Sequence, residues 1–139
     1  DAQTDGYCQF YGYTRSTRRT LAKRVSKGEW GSKNLMDKQL DFDYIRFEWD
    51  ISKNTSNQTK HGLSFELAIY AFFDEQGFSE RHQIVDGEQR WRTVGMIDGC
   101  VVVFVGHLTH YDDKDTEVVR IITARKATKQ EEREYYGYR

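Results

Sequence analysis

Residues 90–108 read RWRTVGMIDGCVVVFVGHL, and this stretch decides the fold. Arg90 to Ile97 and Cys100 to Leu108 are strand-like runs, and the Asp98-Gly99 dipeptide between them favours the type I′ turn of a hairpin. Downstream, His110 to Asp115 make a polar turn. Glu117 to Ala124 then form a third run rich in branched residues, most simply placed antiparallel beside the second. Thr128 can cap a last helix, with Glu131 three residues on completing a capping box.

Upstream, Tyr44, Ile45, Phe47 and Trp49 make a short strand that stops at Asp50, a good helix N-cap. A polar helix from Asp50 to His61 ends at Gly62. Ser64 caps a second helix carrying Phe65, Ala68, Ile69, Phe72 and Phe73 at helical spacing. Asp74 to Asp86 reads as a loop. The order is strand, two helices, three-stranded meander, helix. It predicts an α+β domain with helices on one face of a twisted, largely antiparallel sheet.

A chain of 139 residues is one domain's worth, with 21 Lys and Arg nearly balancing 22 Asp and Glu. A protein that coats nucleic acid over its whole surface is thereby excluded, and any such role must be local. Cys8 and Cys100 are too few and too far apart for a disulfide framework or a zinc site, so no metal or cofactor is expected. The apolar run from Cys100 to Val105 falls far short of the roughly 20 residues that span a bilayer. With no charged-then-apolar leader at the start of the chain, a soluble, cytoplasmic protein without membrane contact is expected. Residues 1–35 differ from the rest, with Arg15, Arg18, Arg19, Lys23, Arg24, Lys27 and Lys33 opposed by Glu29. They read as a basic, loosely ordered extension with room for a short helix around Thr17 to Lys27. Residues 36–139, opening at Met36, form the compact domain.

The segment RIITARKATKQEEREYY, from Arg120, carries the chemical signal. Arg120 and Arg125 stand on one stiff element beside Lys126, and guanidinium geometry matches phosphate oxygens in a bidentate way. The meander adds Arg90 and Arg92 at the start of one strand and His107 at the end of the next. RNA can be cleaved without metal when its 2′-hydroxyl attacks the adjacent phosphate, provided cations stabilise the added charge and some group moves protons. Convergence of these residues on a phosphate is therefore expected, with arginines as clamps and His107 as proton carrier. Each also has a plainer role. Arg90 and Arg92 can pair with Glu88 or Asp86, His107 and His110 can be surface residues at a turn, and Lys60-His61 can complement a helix dipole.

In combination the motifs are more specific. FEWD from Phe47, KHG at Lys60 with SFE at Ser64, GEQRW..VG from Gly87, VVVF at Val101 and RIITARKAT from Arg120 occur in the order and spacing of one family. From Tyr44 to Tyr136 the chain resembles the BrnT family, the toxin component of bacterial type II toxin–antitoxin modules. The resemblance implies a RelE-like fold and a metal-independent endoribonuclease that inhibits translation. It also implies neutralisation by a BrnA-type ribbon-helix-helix antitoxin in a hetero-oligomer that reaches promoter DNA only through the antitoxin. Arg90 matches the arginine opening the first meander strand and Arg125 that of the ARKA motif. Lys60, His61, Arg120 and Thr123 fall on recurrent motif positions. On this basis Arg90, His107 and Arg125 are the catalytic candidates, and Lys60, His61, Arg92, Arg120, Thr123 and Lys126 the RNA-binding ones. The chain departs from the family pattern at Ile51, Asn54, Thr55 and Asn57.

Two other readings compete. A non-catalytic module could serve only as co-repressor with its antitoxin, and an Arg125 turned into the core or locked to Glu131 or Glu132 would take most of the support from catalysis. Alternatively, the basic segment from Arg15 to Lys33 could bind nucleic acid in its own right, although it interleaves few aromatics beyond Trp30.

Overall fold

Asp98 and Gly99 both take positive φ, 54° and 73°, and Cys100 N–H closes the turn on the Ile97 carbonyl at 3.2 Å. The hairpin is built on them, as the sequence predicts. The computed structural model describes residues 30–31, 37–42 and 44–137. The strands are β1 (Trp30–Gly31), β2 (Asp37–Asp41), β3 (Ile45–Asp50), β4 (Phe78–Val85), β5 (Glu88–Ile97), β6 (Val101–Tyr111) and β7 (Glu117–Lys126). Helix α1 is Ile51–His61, α2 is Phe65–Ala68 continued by a 3-10 segment over Ile69–Phe73, and α3 is Lys129–Gly137. All seven strands form one sheet in the order β1-β2-β3-β7-β6-β5-β4. Every pairing is antiparallel except that of β3 with β7, which is parallel. Apart from Trp30–Gly31, the extension expected over residues 1–35, its helix around Thr17 to Lys27 included, lies outside the described residues, as does Met36.

The local signals act as read. The Asp50 carboxylate accepts from Ser52 N at 2.8 Å and Lys53 N at 3.1 Å, and α1 stops at Gly62 with φ 70°. Ser64 caps α2 through Leu67 N. At α3 the capping box closes reciprocally, Glu131 N to Thr128 Oγ1 at 3.2 Å and Thr128 N to Glu131 Oε1 at 2.8 Å.

Three expectations are corrected. The stretch read as a loop contains β4, so the meander has four strands. The missed strand is an edge with most residues exposed, so it shows no apolar face to read. β2 was missed for a similar reason, burying only Leu40. Finally, the helices cover both faces of the sheet. Val103 and Val105 pack with Phe65, Ala68 and Ile69 on what we term the α2 face. Val102 and Phe104, pointing the opposite way by strand alternation, pack with Val94, Met96 and Tyr135 on the α3 face. A strand apolar on both sides must be covered on both sides.

Polar side chains close the sheet where strands run out. β3 pairs with β7 only as far as Arg120. Beyond it the Asn57 amide donates to the Ala124 carbonyl at 2.7 Å and accepts from Ala124 N at 3.2 Å, standing in for a strand. Asn54 likewise accepts from Phe65 N and donates to Glu66, so two of the family departures have structural partners. At the other edge β4 begins opposite Val94. Past that point Asp74 accepts from Met96 N at 2.7 Å and from the Tyr135 hydroxyl at 2.6 Å, tying α3 to the 3-10 segment around the sheet edge. Tyr135→Phe should therefore cost about 1–2 kcal/mol in denaturant unfolding, since a buried carboxylate loses a donor.

Candidate active site

A bulge in β7 determines which arginines meet. Register shifts between the Gly106–Thr123 and His107–Ile121 pairs, leaving Ile122 as the extra residue. Arg120 and Arg125 are five positions apart, which would otherwise send them to opposite faces. The bulge returns both to the α3 face. Arg125 lies opposite Phe104, its guanidinium 4.0 Å from the ring centroid. It is also held bidentate by Glu131 at 2.8 and 3.1 Å. Glu131 is almost fully buried. Burial alone would raise its carboxyl, but the bonds from Arg125 and Thr128 outweigh that and leave it below the ordinary range.

Arg92 shares this face. It pairs with Glu80 at 2.7 Å and Glu134 at 3.1 Å and lies over the Phe78 ring at 5.6 Å. Burial works against its charge, yet the two carboxylates more than compensate and raise its pKa. Arg90, two positions earlier, lies on the same face by alternation. Its ion pair, 3.6 Å to an exposed Glu88, is longer than those of Arg92 and Arg125, and its Nε is buried with no hydrogen-bond partner. Arg120 stands farther along the α3 face, bonded to Glu48 at 2.9 Å and Asp37 at 3.2 Å.

Of the remaining candidates, Thr123 falls on the α3 face by register, opposite Gly106 and in line with Arg92, and the others lie elsewhere. His107 pairs across the hairpin with Trp91, so it stands near Arg90 along the strand but points to the α2 face. There it is 2 % exposed, against Phe72, with Thr93 Oγ1 at 2.8 Å from Nε2 and Thr109 Oγ1 at 3.0 Å from Nδ1. Burial lowers its pKa to about 4. It is a neutral core histidine at neutral pH, and the expected convergence with the arginines does not occur. Thr123 gives its hydroxyl to Asn57 at 3.2 Å. Lys126 is exposed and falls on the α2 face by register. Lys60 and His61 are exposed on the last turn of α1.

One residue of the face was missed. His82 is the extra residue of a second bulge, between the Arg81–Trp91 and Gln83–Arg90 pairs of β4 and β5. Exposed on an edge strand, its ring reaches Phe104 edge-on at 5.5 Å. A groove between β4 and α3 is lined by Glu80, His82, Arg92, Thr128, Glu131 and Glu134 among others. The signal available in the sequence was Asp86-Gly87, a second Asp-Gly turn with φ 51° and 79° that makes the preceding residues a strand. Among the described residues no three His, Cys, Asp or Glu side chains are gathered so as to hold a metal ion, and no helix is long and apolar enough to cross a membrane. The assembled face offers guanidiniums fixed by carboxylates, a buried aromatic ring beneath one of them, and an exposed imidazole packed T-shaped against that ring.

The family model described as the ribonuclease toxin, BrnT, of type II toxin–antitoxin systems matches residues 49–131. Among solved structures the chain is similar to the ribonuclease toxin BrnT of Brucella abortus, at 24% identity and a TM-score of 0.45, over 58% of this chain and 94% of that one. A search of curated protein sequences finds no match.

Proposed function

Because the chain belongs to the family of BrnT ribonuclease toxins of type II toxin–antitoxin systems, we propose that it cleaves RNA without a metal, through attack of the substrate's own 2′-hydroxyl. The observation that carries this reading is the placement of Arg90, Arg92 and Arg125 on one sheet face beside a groove. Cations held in position before substrate arrives stabilise the extra charge of the phosphorane without reorganising. Glu131 and Glu134 supply that rigidity. The contacts of Arg125 to Glu131 and to the Lys126 carbonyl use three of the five N–H groups a guanidinium carries, leaving donors for a phosphate oxygen. Arg90, whose ion pair is longer, keeps terminal N–H groups for a phosphate oxygen. Such cleavage in the cytoplasm would inhibit translation. A BrnA-type ribbon-helix-helix antitoxin would mask the face and carry the complex to promoter DNA. Lys60, His61, Arg120, Thr123 and Lys126 lie apart from the groove, so a role in RNA binding would be as outlying contacts.

A second reading, a non-catalytic co-repressor, is favoured by the carboxylates that occupy Arg92 and Arg125. Incubating the full chain with RNA in EDTA, with product ends identified by mass, separates the two. We expect cyclic-phosphate ends from the wild type and a loss on the order of hundredfold in Arg90→Ala, typical of removing one donor to a developing oxyanion. Arg90 is the cleaner position, because Arg125→Ala would also strand the buried Glu131. Intact free and ribosome-bound RNA after wild-type treatment would overturn the ribonuclease reading and leave the co-repressor one.

A further inference from the structure

We infer that His82 is the residue that removes the 2′-hydroxyl proton, a conclusion that rests on the ribonuclease reading above. Three observations independent of any motif point to it. The bulge in β4 falls on His82 and leaves it without a partner in β5, and bulges of this kind re-aim a side chain. The ring turns onto the α3 face and packs T-shaped against Phe104, 5.5 Å between centroids, while the Arg125 guanidinium sits 4.0 Å from the centroid of the same ring. Imidazole and guanidinium are thus anchored on one buried phenylalanine. Finally, His82 lines the groove with Arg92, and it is exposed. His107, by contrast, is buried on the opposite face. Of the side chains lining the groove, an imidazole is the one that pairs a nitrogen able to accept a proton with one able to donate.

The step balances as follows. His82 accepts the proton of the 2′-hydroxyl as the 2′-oxygen bonds to phosphorus. The bond from phosphorus to the 5′-oxygen breaks, its electron pair stays on that oxygen, and the oxygen takes a proton from water. The imidazolium returns its proton to the hydroxide so formed. The products are a 2′,3′-cyclic phosphate and a 5′-hydroxyl, with no oxidant, reductant or metal consumed. Arg125 and Arg90 neutralise the phosphate oxygens while the charge builds.

The test uses the full chain, wild type against His82→Ala, with two readouts. His82→Ala should cleave RNA roughly hundredfold or more slowly, as expected for the loss of a general base. Added imidazole should restore part of the rate to His82→Ala and leave the wild type unchanged. Binding of a fully 2′-O-methylated RNA, which cannot be cleaved, should change less than about twofold, because a proton acceptor contributes little to ground-state affinity. Since His82 is exposed on an edge strand, thermal melts of the two proteins should coincide. Equal cleavage by wild type and variant overturns the assignment while leaving the ribonuclease reading intact, as does a loss of binding large enough to explain the slower cleavage. A wild type that cleaves nothing overturns both.

Discussion

Gly95→Ala should remove at least about 3 kcal/mol of stability, a large share of what a domain of this size possesses. A Cβ at Gly95 would collide with the Ala71 carbonyl oxygen and stand 3.1 Å from its carbon. Both are backbone atoms of the 3-10 segment, so no side chain can swing aside. Gly77 makes the same junction from the other side, where a Cβ would meet the Val94 carbonyl oxygen at 2.9 Å. The 3-10 segment therefore touches β5 backbone to backbone, and Asp74 at its end locks the contact through Met96 N. Pushing the two apart would also pull on the Asp74–Tyr135 bond that docks α3. Gly62→Ala is the natural control. Gly62 has φ 70° but nothing within 4 Å of the added carbon, so only the backbone preference is lost, about 1 kcal/mol. Urea titrations of both variants check the order. A Gly95→Ala protein as stable as Gly62→Ala would mean that the 3-10 segment shifts freely over the sheet.

Acidification should destabilise the fold through His107 before most carboxylates respond. Its pKa is about 4 in the folded protein against 6.5 for the free side chain, because burial disfavours the charged ring. Between those values the unfolded chain binds the extra proton, so stability is fully present above about pH 6.5 and falls as pH drops towards 4. The loss should reach about 2 kcal/mol at pH 5 and about 3 kcal/mol at pH 4. At pH 5 that corresponds to a melting temperature lower by on the order of 10 °C. His107→Gln keeps a polar group between Thr93 and Thr109 but has no proton to take up. Its loss between pH 7.5 and pH 5 should shrink to a few tenths of a kcal/mol. The same slope in wild type and His107→Gln would place the acid sensitivity elsewhere. Glu131, held below the usual carboxylate range, adds a loss in the same direction only at lower pH, as pH falls through its depressed value.

The sequence was most informative where the physics is local. Asp50, Gly62, Ser64, Asp98-Gly99 and the Thr128–Glu131 box act within a few residues of themselves, so each element they delimit is readable without knowledge of the rest of the chain. Edge strands were not readable, because β4 and β2 are held by backbone pairing to a neighbour rather than by an apolar face of their own. The site was half legible. Arg90, Arg92 and Arg125 are legible because guanidiniums at strand ends suit phosphate oxygens, and Arg90 and Arg125 also fall on family motifs. His107 reads as a proton carrier because it ends a strand near Arg90, and the apolarity of that same strand buries it.

The sequence by itself determined an α+β chain with a central hairpin, a capped last helix, family membership written in its motifs, and a set of arginines suited to an anion. Tertiary structure alone decided which of those residues share a surface. Facing depends on strand parity, and parity is reset by single-residue bulges at Ile122 and His82 that exist only in the pairing of two strands. It also decided which charges are already engaged, since Glu131 and Glu134 reach Arg125 and Arg92 only when α3 packs across the sheet.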